Sequence, residues 1–228
     1  LMNTGERLFH SGSGLLSTIA WGLGGRTTYA LEGSVLVAGA AVQWLRDGLR
    51  ILDSAPESEE MARRAGDDCG VYMVPAFAGL GTPHWDMYAR GAIFGLTRDT
   101  GREHIVRAAL EALAYQTRDV LDAMTTDTGL RLKKLLVDGG ASANDFLMQF
   151  QADILGVTVE RPRIIESTAL GAACLAGMEA GMWDRERIAR IRTIDRTFVP
   201  SISGDRRETL YAGWKKAVRR TMGWLVEE

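Results

Sequence analysis

The chain has 228 residues, of which 46% are hydrophobic and 25% charged, and its formal net charge at pH 7 is −2. These values are typical of a globular domain and give no sign of the basic surface that nucleic acids or anionic membranes attract. No segment approaches the ~20 apolar residues of a membrane-spanning helix, and the first residues do not resemble a secretory signal.

The first half is predicted to begin with paired strands and to end with a long helix. Leu1-Met2-Asn3 resembles the end of a strand already under way, which predicts that the N-terminus is a cut in a longer chain. Periodicity and turn residues then predict a strand over 14–21, a hairpin turn at Gly22, Gly24 and Gly25, a strand over 26–31, a helix over 35–51, a loop and a short solvated helix within 53–64, strands over 71–77 and 89–96 separated by a loop, and a helix over 103–124.

The second half alternates strands with helices. The predicted elements are a strand over 133–137, a break at Gly139-Gly140, a helix over 144–155, a strand over 157–161, a helix from its cap Thr168 to about residue 180, and an amphipathic helix over 205–226. Hairpins followed by alternating strands and helices predict a single α/β domain, with a mixed sheet flanked by helices.

The two cysteines indicate neither a metal site nor a redox motif. Cys69 and Cys174 lie far apart and form no CxxC pair. Cys174 is predicted to be a small core residue in a helix, and Cys69 to lie in a loop. Sparse, unpaired cysteines favour a reducing compartment, so we expect a cytosolic protein.

The common catalytic and nucleotide-binding motifs are absent. The sequence contains no Gly-Lys-Ser/Thr, no GxGxxG after a strand, no HExxH and no GxSxG. His10, His84 and His104 are too scattered to suggest a metal site. His84 lies close to Asp86 in a glycine- and proline-rich loop, but no nucleophile accompanies the two, and a structural loop is the favoured interpretation.

The strongest local signal is the segment from Leu135 to Asn144. A buried-type strand is followed by Gly139, Gly140, three small residues and the start of a helix. Such a turn directs backbone N–H groups and the positive end of a helix dipole into one space, where a flat or anionic ligand can approach. On spacing alone, an ordinary strand-to-helix turn capped by Asn144 remains the alternative.

A second candidate is Gly39 within a predicted helix. Glycine inside a helix costs about 1 kcal/mol relative to alanine, so its presence suggests that another group approaches closely. Gln43 follows four residues later on the same face. Either a ligand or a packed helix would explain the pair. For the small residues of 168–173 tight packing is expected, and Glu111 and Asp119 are expected to be solvated charges on the long helix.

Several long strings give the sequence a specific resemblance. The chain resembles the FGGY carbohydrate kinases, and among them the glycerol kinases, over nearly its whole length. The strings that carry the resemblance are YALEGS (29–34), VAGAAVQWLRD (37–47), VPAFAGLGTPHWD (74–86), YARGAIFGLTR (88–98), AYQTRDVL (114–121) and YAGWKKAV (211–218).

The resemblance implies a fold and a ligand. It implies an actin-like, ribonuclease-H-like ATPase domain that forms the C-terminal half of a two-domain enzyme. It places Gly39, Gln43, Gly140 and Asn144 at the ATP or ADP site. It implies that Mg²⁺ is held mainly by phosphates and by residues outside the chain. Full-length members often self-associate, so a homo-oligomer is expected.

The same resemblance implies that key parts lie outside the chain. The catalytic aspartate, the phosphate loop and the glycerol-binding residues belong to upstream sequence, so no catalytic residue and no metal ligand is assigned within 1–228. The expected reaction of the whole enzyme is ATP-dependent phosphorylation of glycerol, with the isolated fragment inactive. Another sugar or polyol kinase of the family, or a non-catalytic nucleotide-binding domain, remains an alternative.

Overall fold

A computed structural model describes residues 1–66, 70–191 and 193–226. Its strands are β1 (Met2–Gly5), β2 (Leu16–Leu23), β3 (Arg26–Glu32), β4 (Tyr72–Val74), β5 (Ala92–Phe94), β6 (Lys134–Leu136), β7 (Thr158–Pro162) and β8 (Ile194–Phe198). Its helices are α1 (Gly39–Asp47), α2 (Glu57–Arg64), α3 (Arg102–Thr128), α4 (Asp145–Leu155), α5 (Ser167–Glu179), α6 (Arg185–Ile191) and α7 (Gly204–Thr221), with a 3-10 helix at Gly140–Ala143.

The strands form three small sheets. One is antiparallel with the order β1-β3-β2, and β4 pairs with β5 as a second antiparallel ribbon. The third is mixed, because β6 and β7 are parallel while β7 and β8 are antiparallel. The β2–β3 turn occurs at Gly24 and Gly25, whose φ angles of 58° and 74° lie in the left-handed region that such hairpin turns require. The predicted mixed α/β arrangement is therefore confirmed.

Helix α3 is the centre of the fold. Its buried residues run from Val106 to Met124 and pack against all three hydrophobic clusters. The expectation that Glu111 and Asp119 are solvated is wrong, since they are only 6% and 7% exposed. Glu111 accepts a hydrogen bond of 2.6 Å from the Arg107 guanidinium. Only a few positions of α3, such as Asp122, are exposed, and Glu111 and Asp119 lie on the buried part of its circumference.

Asp119 joins α3 to the C-terminal helix. Its carboxylate accepts hydrogen bonds from the Tyr211 hydroxyl at 2.5 Å and from the Trp214 indole at 2.7 Å. Burial, followed by the negative charge of Asp119, raises the pKa of Tyr211. Trp214 also stacks on Tyr115, with ring centroids 5.3 Å apart. The amphipathic pattern of the last helix thus reflects an aromatic contact with a buried acid.

Several helix boundaries differ from the predictions. α1 spans only Gly39–Asp47 of the predicted 35–51. Before it, the Ser34 N–H donates to the Thr82 Oγ1 at 3.0 Å, and the Ser34 carbonyl accepts from the Thr82 N–H at 2.9 Å. These bonds hold Ser34 outside the helix. α7 ends at Thr221, so Met222 and Leu225, predicted on its apolar side, lie beyond the helix and are 42% and 51% exposed.

Strand lengths also differ. The strands predicted over 71–77 and 89–96 pair only at β4 and β5, three residues each. α6 and β8 were not predicted. Residues 194–197 of β8 are all exposed, so the strand lacks the alternation of buried and exposed residues that reveals a half-buried strand.

The small residues of α5 do not pack as expected. The helix begins at Ser167, with Glu166 at the cap position and no side-chain capping bond, so the prediction of a Thr168 cap is wrong. Most of residues 168–173 are exposed. Small side chains permit close packing without requiring it. Cys174 is buried, as predicted, whereas Cys69 lies outside the described residues. None of the described helices is both long and apolar enough to cross a bilayer.

Candidate nucleotide site

The turn after β6 is built around one left-handed glycine. Gly139 has φ 78°, a conformation that side-chain-bearing residues rarely adopt, and its N–H donates to the Ile165 carbonyl at 2.8 Å. A short 3-10 helix follows, and α4 then begins. Asn144 caps α4, with its side-chain oxygen accepting from the Leu147 N–H at 2.9 Å. The helix cap, which the sequence left open as the alternative for Asn144, is thus present.

The start of α1 faces this turn across a cavity of about 630 Å³. Gly39 and Gln43, on successive turns of α1, lie on one side, while Gly140 and Asn144 lie on the other. Apolar side chains that line the same cavity come from α1, α3 and α4: Val42, Leu110, Leu113 and Leu147. All four residues predicted at the ligand site therefore lie around one space. A large concave pocket with apolar walls and a few polar groups is typical of a small-molecule site.

The two glycines are open toward the cavity. A Cβ atom built on Gly39 would meet no heavy atom within 4 Å, and the same holds for Gly140. Neither residue has a positive φ. No other described helix therefore packs closely against Gly39, which excludes the alternative explanation for this glycine. Glycine at these two positions keeps the cavity wide and leaves the main chain accessible.

The residues that lead into α2, together with its first turn, form a wall of the cavity that was not predicted from the sequence. Ala55, Pro56, Ser58 and Glu59 all line the cavity. In the sequence this segment shows only the signs of a loop and a short charged helix. The sequence gives no local signal of this role, because it depends on α2 packing beside the start of α4 in the folded chain.

The back of the turn is held by an arginine from β7. Arg161 donates to the Ser142 carbonyl at 2.8 Å and to the Asp145 carboxylate at 2.8 Å, and its Nε donates to Asp195 at 2.9 Å. Desolvation opposes the charge, but the bonds to Asp195 and Asp145 outweigh it and raise the pKa of Arg161. The Arg161 side chain is 12% exposed. The turn is thus fixed from behind, independently of any ligand in front of it.

Comparison with known proteins identifies the family. A family model described as the C-terminal domain of the FGGY family of carbohydrate kinases matches residues 1–180. The chain belongs to the FGGY carbohydrate kinases. This FGGY chain is 63% identical to a glycerol kinase of Caldanaerobacter subterraneus subsp. tengcongensis over 228 residues, which are 100% of the chain and 46% of that relative. A glycerol kinase of Halorhodospira halophila is 63% identical over 227 residues, with 45% of its length covered.

Solved structures agree on the fold. The crystal structure of Plasmodium falciparum glycerol kinase with ADP superposes with a TM-score of 0.89 at 38% identity, covering 99% of the FGGY chain and 45% of that chain. Gluconate kinase from Lactobacillus acidophilus, at 24% identity, shares the fold with a TM-score of 0.78 over 96% of the FGGY chain and 45% of its own. The predicted actin-like, FGGY-type fold is confirmed, and the chain spans about half the length of the relatives it matches.

His84 and Asp86 of the FGGY chain lie outside the cavity. Asp86 accepts hydrogen bonds from the backbone N–H groups of Tyr88 at 2.8 Å, Ala89 at 3.1 Å and Gly223 at 2.7 Å. Although desolvation opposes it, these donors lower the pKa of Asp86. His84 Nε2 lies 3.8 Å from the buried carboxylate of Asp119. Asp86 thus binds backbone groups of its own loop and of the C-terminal segment, and His84 lies beside a buried side chain of α3, as expected for a structural loop.

No described part of the FGGY chain forms a ready metal site. Across residues 1–66, 70–191 and 193–226, no group of three or more His, Cys, Asp or Glu side chains is placed to hold a metal ion. The cavity itself has apolar walls, main chain at two glycines, amides from Gln43 and Asn144, and charged side chains from Arg46, Glu59 and Asp138.

Proposed function

We propose that residues 1–228 form the C-terminal, nucleotide-binding domain of a kinase that transfers the γ-phosphoryl group of ATP to glycerol, giving sn-glycerol 3-phosphate. The observation that carries this proposal is the meeting of Gly39, Gln43, Gly140 and Asn144 around one cavity whose two open glycines serve neither backbone conformation nor packing. Relatives named glycerol kinase, 63% identical over the whole chain, support glycerol as the acceptor.

The cavity suits the adenosine end of ATP or ADP. A flat base needs apolar walls, which Val42, Leu113 and Leu147 supply. A ribose and phosphates need hydrogen-bond donors, and the main chain at Gly140 and the side-chain amides of Gln43 and Asn144 line the same cavity. The ADP named in the Plasmodium relative's structure supports this choice of ligand.

The acceptor and the catalytic groups belong to the other half in this proposal. Phosphoryl transfer depends on alignment and on charge stabilisation, and it requires a group that accepts the hydroxyl proton. The glycerol pocket, the catalytic aspartate and the phosphate loop lie in an N-terminal domain outside this chain. Mg²⁺ binds the ATP phosphates and is held by them together with residues of that domain. The full-length enzyme is cytosolic and self-associates.

Calorimetric titration of the purified 228-residue chain tests the proposal. ADP is expected to bind with a 1:1 stoichiometry, whereas glycerol gives no binding heat and no glycerol 3-phosphate forms with Mg-ATP. Absence of ADP binding at millimolar concentration would remove the nucleotide assignment. Product formation by the purified chain would contradict the location given to the catalytic groups. A substrate panel on the full-length enzyme distinguishes glycerol from other polyols and sugars, and complete inactivity would favour a non-catalytic nucleotide-binding role.

A further inference from the structure

We propose that Ser58 and Glu59, at the start of α2, are positioning residues that hold the nucleotide-binding turn in place. The inference rests on the proposed function, because it concerns how the same cavity is shaped. It adds an element, α2, whose sequence gave no indication of a role at this site. Two separate hydrogen bonds join the first turn of α2 to the first turn of α4, from residues that are neighbours in the chain.

The first bond fixes the amide of Asn144. Its Nδ2 donates to the Ser58 Oγ at 3.2 Å, while its Oδ1 accepts from the Leu147 N–H at 2.9 Å. Ser58 is only 1% exposed, and its hydroxyl donates to the Ala55 carbonyl at 2.6 Å. This chain of donors and acceptors sets which way the Asn144 amide faces. One amide hydrogen and one oxygen lone pair are left for a further partner.

The second bond satisfies a backbone group of α4. The Glu59 Oε2 accepts from the Asp145 N–H at 2.8 Å, while its Oε1 accepts from Arg63 at 2.9 Å. The first N–H groups of a helix have no partner within the helix. Asp145 is also held from the other side by Arg161. The start of α4 is thus hydrogen-bonded to α2 on one side and to β7 on the other, and Glu59 supplies the bond on the cavity side.

The two hydrogen bonds from Ser58 and Glu59 affect the cavity because α2 is itself packed into the hydrophobic core. Met61 and Ala62 are 0% exposed and belong to the cluster that packs on α3. Ala55 and Pro56, which lead into α2, line the cavity together with Gly140, so the position of α2 affects the width of the slot. Loss of either bond lets the two walls separate, so the chain must reorder them each time a nucleotide binds.

Glu59 and Glu60 provide a matched pair of variants. Each accepts from the arginine four residues later, Arg63 or Arg64, but only Glu59 bonds to α4. We expect Glu59→Ala to weaken ADP binding about three- to tenfold, because only part of the energy of this hydrogen bond is expressed in binding and that part is about the net contribution of one ordinary hydrogen bond, and Glu60→Ala to leave it unchanged. Glu59→Gln keeps an oxygen that can accept from Asp145 and should restore most of the affinity. Ser58→Ala should weaken ADP binding in the same direction as Glu59→Ala.

Calorimetric titration with ADP, together with urea unfolding of each variant, separates positioning from stability. A structural role alone would lower the free energy of unfolding in Glu59→Ala while leaving the ADP dissociation constant of the folded protein unchanged, and this result overturns the inference. Equal effects of Glu59→Ala and Glu59→Gln would assign the change to lost charge and would also overturn it. Failure of the unmodified chain to bind ADP would instead refute the proposed function, so the two failures are distinguishable.

Discussion

Replacing Asn144 with alanine is expected to lower both stability and nucleotide affinity, and the structure gives a size for each effect. The substitution removes the cap of α4, which costs about 1 kcal/mol. It also removes the Asn144–Ser58 hydrogen bond, a further loss of about 1 kcal/mol. The free energy of unfolding should therefore fall by about 2 kcal/mol. With a urea m-value of about 2–3 kcal/mol/M, the midpoint should move down by roughly 0.7–1 M.

The effect on affinity can be read in the same unfolding experiment. ADP at 100 times its dissociation constant stabilises a protein that binds it only when folded by about 2.7 kcal/mol. If loss of the amide contact raises that constant about tenfold, the same ADP concentration stabilises the variant by only about 1.4 kcal/mol. The measurement is thus a set of urea curves with and without ADP, and it reports both losses on the same samples.

Ser203→Ala is the control for the capping component. Ser203 caps α7 by accepting from the Arg206 N–H at 3.2 Å, and it does not line the nucleotide cavity. Its replacement should cost about 1 kcal/mol of stability and leave the ADP increment intact. The reasoning fails if Asn144→Ala costs no more than Ser203→Ala and both keep the full stabilisation by ADP.

Three other predictions concern the cavity, the core and the response to acid. Gly39→Leu should fold with unchanged or slightly higher stability, since open space surrounds this position, yet titration should show ADP binding reduced at least tenfold because the side chain enters the slot. Asp119→Ala should lower the free energy of unfolding, measured in urea, by about 2–5 kcal/mol, because it leaves a buried tyrosine hydroxyl and an indole N–H without their acceptor. Asp122→Ala, one turn away at a side chain that is 57% exposed, is the control and should lower it by less than about 1 kcal/mol. The pKa of Asp86 is lowered in the folded state. The stability that this carboxylate contributes is therefore present above the unfolded carboxyl pKa of about 4 and is lost as the pH falls further. In urea unfolding at a series of pH values, Asp86→Asn should lose less stability below about pH 4 than the unmodified chain does, and an equal loss would contradict this.

The residues proposed for the candidate site were easier to pick out from the sequence than the other residues that line its cavity. Gly139 and Asn144 follow local rules, a left-handed turn and a helix cap, which neighbouring residues reveal. Gly39 was ambiguous, and the expectation that it lies inside a helix is wrong, because it is the first residue of α1. Only the structure shows open space beside its backbone. Ser58 carried no local signal, because its role depends on α2 and α4 being brought together across 86 residues of sequence.

The fold shows the same division between local and tertiary information. Element types in the long periodic segments were predictable, and α3 and α4 lie close to their expected positions. The burial of Glu111 and Asp119 was not, because it depends on the elements that pack around α3; the partners of Asp119, for example, come from α7. The small-residue helix α5 was misjudged for the opposite reason: its composition allows tight packing, while most of that stretch is exposed.

The arrangement of the cavity explains how a binding site can share the rigidity of the core. Leu110 and Leu113 of α3 line the cavity, and both are also members of the hydrophobic clusters at the centre of the domain. α1, α2 and α4 each pack against α3, so the positions of all three walls of the slot depend on this one helix. A bound adenosine would then contact elements already held in place, which reduces the entropy lost on binding. Substitutions that loosen α3 should therefore weaken nucleotide binding even where they touch no nucleotide.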